Sequence, residues 1–249
     1  MYNRMEINMK KLIMIAGLAV FTATGAFAET VRLGTEGAYE PWNFVNDAGE
    51  LDGFEIELGN ELCKRASLSC EWVKNDWDSI IPNLKSGNYD AIIAGMSVTE
   101  ERQKAIDFTE EYYPADPSSY AALAGADASV SSGVVAAQTA TIHAGFLAGS
   151  SATLVEFASA EETIAAVRNG EADAVLADSG YLAPIVAESN GELVFVGDQV
   201  QIGGGVALGM RKSDGALRAK LNAAIESVKS DGSLIKMIAK WFGADAPQF

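Results

Sequence analysis

The polar residues with the clearest chemical potential follow two short apolar segments. Asp178 comes directly after "AVLA", and Gly95-Met96-Ser97 comes directly after "AIIA". Both apolar runs are typical of buried strands, and open α/β sheets bind ligands beyond the carboxyl ends of their strands. A carboxylate at the end of a buried strand also needs a polar or charged partner. We therefore expect these residues to converge on one binding cleft.

The segments around these residues repeat one another. "LKSGNYDAIIAG" (residues 84–95) and "VRNGEADAVLAD" (residues 167–178) share Gly, Asp and two Ala at equivalent positions, and most of the other positions hold similar side chains. Each segment predicts a helix end, a glycine stop and a strand. Two similar α/β lobes explain the repeat, whereas a chance likeness between two helix–turn–strand units is the alternative.

The remaining chain alternates predicted strands and helices. Strands are predicted for "TVRLGT", "CEWVKND" and "YDAIIAG", and helices for "WDSIIPNLKSG" and "SVTEERQKAI", the latter capped by Ser97 or Thr99. The segment "GELDGFEIELGNELCKRA" predicts a turn that leads into a helix. Alternation of this kind favours a parallel α/β sheet. The segment "QIGGGVALGMRKSDG" lacks the Lys-Ser/Thr ending of a phosphate loop, so we interpret it as a crossing back into the first lobe.

The lobe assignment follows from that crossing. Residues 29–114 and 203–249 form lobe one and residues 115–202 form lobe two, joined by two crossing strands that can bend as a hinge. The predicted fold class is α/β with two Rossmann-like lobes and a two-stranded hinge.

The N-terminus is predicted to be a secretory signal peptide. Arg4, Lys10 and Lys11 precede an apolar run, and Ala26-Phe27-Ala28 forms a small-residue cleavage site, so the mature chain would begin at Glu29 in the periplasm. Loss of residues 1–28 removes three basic residues and one acidic residue and takes the net charge from −16 to −18. Such a charge disfavours nucleic acid and anionic lipid as partners.

The sequence offers little for catalysis or metal binding. It has no Ser-His-Asp order, no metal-ligand cluster and no nucleophile elbow, so we predict no enzyme activity and no cofactor. Cys63 and Cys70 close one short loop in an exported chain, which predicts a structural disulfide. His143 is the only histidine, and we interpret it as a packing or surface residue.

Several segments together resemble a known family. "GTEGAYEPWNF", "GFEIELGNELC", "DWDSIIPNLKSGNYDAIIAGMSVTEER" and "SDGSLIKMIAKWFG" are similar to the periplasmic amino-acid-binding proteins of ATP-binding-cassette (ABC) importers, solute-binding protein family 3. The nearest pattern is the lysine/arginine/ornithine and histidine branch, which also has the cysteine pair. The resemblance implies the type II periplasmic-binding-protein architecture, a monomer and an inner-membrane permease as partner.

The resemblance also implies how an amino acid would be held at its α-carbon. Arg102, in "SVTEER", would pair bidentately with the α-carboxylate. The backbone N–H groups of Ser97 and of Thr141, which would stand at a helix start in the second lobe, would add donors. Asp178 would take the α-ammonium, together with the Ser97 hydroxyl and the Gly95 carbonyl. Without the resemblance, Arg102 would be interpreted as a solvated helix charge and Asp178 as a helix cap.

The ligand side chain would lie in a pocket whose residues the resemblance also supplies: Glu36, Tyr39, Trp77 and Ala94 on one side, with Ala137, Gln138 and Ile142 opposite. Tyr39 and Trp77 would sandwich an aliphatic or guanidinium group. Glu36 stands where the basic branch has an aspartate and would pair with a ligand cation, which favours arginine, ornithine, lysine or histidine.

Three alternatives stay open. Thr139, Ala140 and Ile142 depart from the basic branch, and the small Ala94-Gly95 pair would leave room for an opine, with glutamine the next ligand class. The same fold hosts periplasmic cyclohexadienyl dehydratases. A sensor input domain is the third class, and it would need a partner protein for signalling.

Overall fold

The computed structural model describes residues 29–247. The predicted signal peptide and its cleavage site lie outside the described residues. Within residues 29–247, none of the helices combines the length and apolar character that a membrane span requires.

Short strands make up most of the framework. In chain order they are β1 Glu29–Thr35, β2 Ala38–Tyr39, β3 Asn43–Val45, β4 Leu51–Asp52, β5 Leu68–Lys74, β6 Ala91–Ile92, β7 Asp107–Tyr113, β8 Ser118–Leu123, β9 Val134–Gln138, β10 Thr153–Phe157, β11 Ala174–Asp178, β12 Leu193–Val200 and β13 Val206–Met210.

Helices connect and cover these strands. They are α1 Phe54–Arg65, α2 Ile80–Lys85, α3 Glu100–Ala105, α4 Ile142–Ala148, α5 Ala160–Arg168, α6 Ser179–Glu188, α7 Gly215–Ser230 and α8 Ser233–Phe242. The helix expected over "SVTEERQKAI" begins after Thr99, whose hydroxyl accepts the N–H of Arg102 at 3.1 Å. Thr99, rather than Ser97, is therefore the cap.

The strands form two five-stranded sheets, ordered β5-β1-β6-β13-β7 and β10-β9-β11-β8-β12, and a small third sheet of β2, β3 and β4. In the first large sheet β13 runs antiparallel to β6 and β7. In the second, β8 runs antiparallel to β11 and β12. The expectation of parallel sheets is therefore wrong: each is mixed, because the strands next to the crossings enter from the other sheet.

The sequence repeat corresponds to equivalent places in the two sheets. Its first copy contains β6 and its second contains β11, and each is the central strand of its sheet. Each is parallel to a neighbour on one side, β1 or β9, and antiparallel to a neighbour on the other. The repeat thus reflects two lobes of similar construction, as the fold class predicts.

The chain passes between the sheets twice. It leaves the first sheet after Tyr113 and enters the second at Ser118, then leaves the second after Val200 and re-enters the first at Val206. The exact lobe boundaries at residues 114 and 202 stay predictions. In the first lobe Cys63 and Cys70 form the predicted disulfide, which ties α1 to β5.

Candidate ligand-binding site

A cavity lies between the two large sheets. Ten of the residues predicted to contact a ligand line it: Glu36, Tyr39, Trp77, Ala94, Gly95, Ser97, Arg102, Gln138, Thr141 and Asp178. Ile142, which was also expected there, and His143, Ala160, Thr163, Leu176 and Ala177 complete the lining. Ala137, expected as a pocket wall, is buried in β9 and does not line the cavity.

Arg102 brings a positive charge to the cavity. Its Nη1 donates to the Ser97 carbonyl at 2.8 Å, and its guanidinium carbon lies 5.2 Å from the centroid of the Trp77 ring. Within the described part of the chain, no carboxylate lies within ion-pairing distance of this guanidinium. Burial lowers the pKa of Arg102 to about 10, an effect that the charge of Asp178 opposes. The cavity therefore offers a half-buried cation that lacks a carboxylate counter-ion.

Asp178 supplies a negative charge from the second lobe. It stands at the N-cap of α6 but its side chain makes no capping bond there. Instead Oδ2 accepts the Tyr39 hydroxyl at 2.8 Å, and Oδ1 lies 3.4 Å from Nε2 of His143. Burial alone would raise the pKa of Asp178, but the charge and hydrogen bond of His143, the Tyr39 hydroxyl and the charge of Arg102 hold it below its usual value. Asp178 is thus kept ionised where a ligand cation would lie.

His143 is a site residue that the sequence interpretation missed. It is buried in the first turn of α4, with Nε2 3.0 Å from the Ser118 hydroxyl and close to Asp178. Of the two sequence interpretations, the buried position fits packing and not the surface, and His143 also lines the cavity. Its position two residues after the predicted helix start at Thr141 is the signal that could have found it, because the first turn of that helix faces the cavity.

Glu36 and Gln138 meet across the cavity. Glu36 Oε1 accepts the side-chain N–H of Gln138 at 2.6 Å, and the same amide nitrogen donates to the Ala158 carbonyl at 3.1 Å. Burial raises the pKa of Glu36 to about 7, although the Gln138 hydrogen bond and the charge of Lys74 act in the opposite direction. This part of the lining therefore holds a buried acid whose hydrogen-bond partner is neutral.

The two aromatic residues are arranged differently from the expected sandwich. The ring of Tyr39 stacks on Tyr181 with centroids 4.2 Å apart and planes 7° apart, so one of its faces is covered by protein. Trp77 has Arg102 against its ring, and its Nε1 donates to the Ala140 carbonyl at 3.3 Å. Each ring is thus engaged with the protein on one side before any ligand is considered.

Two turns present backbone groups to the cavity. Gly95 has a positive φ of 59°, a conformation that glycine adopts without strain, and Ser97 is buried two residues later. In the second lobe Thr141 caps α4: its hydroxyl accepts the Ala144 N–H at 3.2 Å and donates to the Gln138 carbonyl at 2.6 Å. The N–H groups of Ile142 and His143, which precede Ala144 in this turn, lack intrahelical acceptors and are available to an anion.

Known proteins resemble this chain over nearly its whole described length. The lysine/arginine/ornithine-binding periplasmic protein of Escherichia coli (strain K12) is 33% identical, covering 94% of this chain and 97% of the relative. A periplasmic His/Glu/Gln/Arg/opine family-binding protein from Silicibacter pomeroyi, solved in complex with lysine, is 70% identical, with a TM-score of 0.85 over 88% of this chain and 100% of that chain.

A third structure bears on the question of catalysis. An ancestral amino-acid-binding protein, described as a precursor of cyclohexadienyl dehydratase, is 29% identical with a TM-score of 0.76 and covers 86% of this chain and 95% of that one. The family model of the bacterial extracellular solute-binding proteins, family 3, matches residues 31–244. With a two-lobed fold, a cavity between the lobes and relatives of this kind, the chain belongs to the bacterial extracellular solute-binding proteins of family 3.

Proposed function

We propose that this protein binds a cationic amino acid, with lysine and arginine the foremost candidates, between its two lobes and delivers it to an ABC permease. The observation that carries the proposal is the charge of the cavity lining. Arg102 and Asp178 are half-buried and are not ion-paired with each other, and the buried Glu36 adds a second acid. With Glu36 ionised, these three groups carry one net negative charge, which complements the net positive charge of lysine or arginine.

The α-carbon groups of the ligand fit the first two charges. Arg102 would hold the α-carboxylate as a fork, with the backbone N–H groups of Ser97 and Thr141 as further donors. Asp178 would accept the α-ammonium, since its Oδ1 engages only the more distant His143, and the Ser97 hydroxyl and Gly95 carbonyl would complete the shell. A ligand of this kind would neutralise this cation and this acid at the same time.

The cationic side chain would lie against Glu36. A ligand ammonium or guanidinium next to this carboxyl would favour its ionised form and replace or supplement the Gln138 hydrogen bond. The lysine in the Silicibacter pomeroyi complex and the binding of lysine, arginine and ornithine by the Escherichia coli relative support this ligand class.

Closure of the lobes would couple binding to delivery. Glu36 and Tyr39 belong to the first lobe, whereas Gln138 and Asp178 belong to strands of the second sheet. A ligand that contacts both sides gains contacts that neither lobe offers alone, and so favours the closed form. We propose that the permease recognises this form, that the protein acts as a monomer without catalysis, and that it works in the periplasm after cleavage behind Ala28.

A melting-temperature panel tests the proposal. Residues 29–249 are unfolded and refolded to remove bound ligand, then heated with lysine, arginine, ornithine, histidine, glutamine or an arginine-derived opine. A ligand at about a thousandfold over its Kd stabilises a protein by roughly 4 kcal/mol, which shifts Tm by several degrees. We expect such shifts for lysine and arginine. A shift only with opines or glutamine contradicts the cationic assignment, and a flat panel with turnover of prephenate or arogenate would identify a dehydratase.

A further inference from the structure

Glu55 has a fully buried carboxyl group that lies outside the cavity lining. It is the second residue of α1, and its side chain is 0% exposed. Removing a carboxylate from water is unfavourable unless hydrogen bonds compensate for the lost hydration. The donors around Glu55 therefore show what the protein gains from keeping an acid there.

Three donors surround the Glu55 carboxyl. Its Oε1 accepts the backbone N–H of Gly95 at 2.6 Å and also the hydroxyl of Tyr112. Its Oε2 accepts the side-chain N–H of Asn43 at 2.6 Å. One of these donors, Gly95, belongs to the turn that faces the cavity.

Asn43 extends the network to the second turn of the site. Its Oδ1 accepts the backbone N–H of Gly37 at 2.7 Å, and Gly37 directly follows Glu36. Gly37 and Gly95 both have positive φ angles, 69° and 59°, so neither N–H points into a regular strand ladder. N–H groups of this kind need an acceptor. Glu55 accepts the Gly95 N–H, and Asn43, which itself donates to Glu55, accepts the Gly37 N–H.

We propose that Glu55 is a positioning residue of the binding site, whose carboxylate fixes the turn at Gly95 directly and the turn at Gly37 through Asn43. The inference rests on the proposed function, because these turns present the groups that would hold the α-ammonium and the side-chain cation. One buried acid thereby sets the relative position of two parts of the ligand site that are far apart in sequence.

The donor and acceptor roles in the hydrogen bonds between Glu55, Asn43 and Gly37 make the positioning role testable. In Glu55→Gln, an amide that still accepts from Gly95 must turn its NH2 towards the NH2 of Asn43. If Asn43 flips to relieve that clash, its NH2 faces the Gly37 N–H instead, so one donor–donor contact persists. Adding Asn43→Asp removes the conflict: the new glutamine donates to the aspartate, whose other oxygen accepts from Gly37, and the net charge equals that of the wild type.

Calorimetric titration with lysine measures the effect at pH 8, where Glu55 is ionised although burial raises its pKa to about 7, and well below the Tm of each variant. We expect Glu55→Gln to raise the Kd about tenfold or more, because a mispaired buried group is costly, and the Asn43→Asp/Glu55→Gln pair to return it to within about threefold of wild type. Glu57→Gln is the matched control: it lies on the same helix, but its carboxylate contacts Lys240 and Trp241 at the surface. Its Kd should stay within about twofold.

A purely structural role predicts a different pattern. Glu55→Gln would then lower Tm while the folded protein kept its Kd within about twofold, and that result would overturn the proposal. If Glu55→Gln does not fold, the swap variant decides: near-wild-type affinity supports the proposal, and a folded swap that binds about tenfold more weakly contradicts it.

Amide hydrogen exchange by NMR separates this proposal from the proposed function. In ligand-free protein we expect the N–H groups of Gly37 and Gly95 to be protected in the wild type and the swap variant, and to exchange faster in Glu55→Gln. That pattern in a protein that binds no lysine would contradict the ligand assignment and retain the positioning role. Equal protection in wild type and Glu55→Gln would overturn the positioning role.

Discussion

The hydroxyl of Tyr39 donates to Asp178 Oδ2 at 2.8 Å, and this hydrogen bond joins the two lobes across the cavity. Tyr39 belongs to β2 beside the first sheet, and Asp178 ends β11 at the centre of the second. The bond occupies one oxygen of Asp178 and orients the other towards the space where we place the ligand ammonium. The Asp178 carboxylate therefore accepts the hydrogen bond between the lobes and would also bind the ligand ammonium.

Removal of that hydroxyl should weaken ligand binding. In Tyr39→Phe the ring can still stack on Tyr181, but Asp178 loses a donor. Since hydrogen bonds to charged groups contribute about 1.5–3 kcal/mol, the Kd for lysine should rise by roughly tenfold or more. Calorimetry measures the change. Tyr181→Phe keeps the stacked rings and serves as the control, and equal Kd values for the two variants would contradict the role given to the Tyr39 hydroxyl.

Arg102 should be necessary for binding and unnecessary for folding. Arg102→Met removes the partner of the α-carboxylate, and the Kd for lysine should rise by about a hundredfold or more. The ligand-free variant should unfold at an equal or higher temperature, because a partly desolvated cation without a counter-ion is removed.

Lys104→Met provides the matched control for Arg102. Lys104 lies on the same helix, is exposed and pairs with Glu101 at 2.7 Å, so its loss should leave the Kd unchanged. Lysine binding by Arg102→Met at wild-type affinity would show that the carboxylate is held elsewhere.

Glu36 should decide between cationic and neutral side chains. In Glu36→Gln the partner of the ligand cation is lost, so the Kd for lysine and arginine should rise about tenfold or more, while glutamine should bind as well as before or better. Competition titrations measure the ratio. Glu50→Gln, an exposed acid in the same region, is the control. An unchanged lysine-to-glutamine ratio would remove Glu36 from the specificity assignment.

The raised pKa of Glu36 predicts a pH dependence of both stability and binding. The folded ligand-free protein holds this proton up to about pH 7, above the usual range of a glutamate, so its contribution to stability is present at low pH and is lost as pH rises through 7. Glu55 and Asp116, whose pKa values burial also raises to about 7, act in the same direction. The Tm of Glu36→Gln minus that of wild type should therefore increase from pH 5 to pH 8.

Binding should show the opposite trend. A ligand cation favours ionised Glu36, so lysine affinity should fall below pH 7 and binding should release a proton there. Titrations in buffers of different ionisation enthalpy count that proton. Its persistence in Glu36→Gln would assign it to another group.

Much of the fold was predictable because local signals agree with the tertiary structure. The repeat around Asp90 and Asp173 identifies the central strand of each sheet, and Thr141 was expected at a helix start where it now caps α4. The antiparallel strands were not predictable in this way. Their direction depends on the two crossings between the sheets, which strand and helix periodicity does not encode.

The contacts between the site residues were less predictable than the identities of those residues. Residue types identified Glu36, Arg102 and Asp178, but not that Gln138 would bond to Glu36 or that Tyr181 would stack on Tyr39. Those contacts join residues of different lobes that lie a hundred positions or more apart in the sequence. His143 was missed because a lone histidine carries no pattern until the helix that holds it is placed beside Asp178.

The most direct test of the account is calorimetric titration of refolded residues 29–249 with lysine and three analogues, each lacking one charged group. Norleucine lacks the side-chain ammonium, cadaverine lacks the carboxylate and 6-aminohexanoate lacks the α-ammonium. We predict that lysine binds one to one, with a Kd about a hundredfold or more below that of each analogue. Norleucine leaves Glu36 without its partner, cadaverine leaves Arg102 and 6-aminohexanoate leaves Asp178. Norleucine binding as tightly as lysine would contradict the assignment of a cationic amino acid to this cavity.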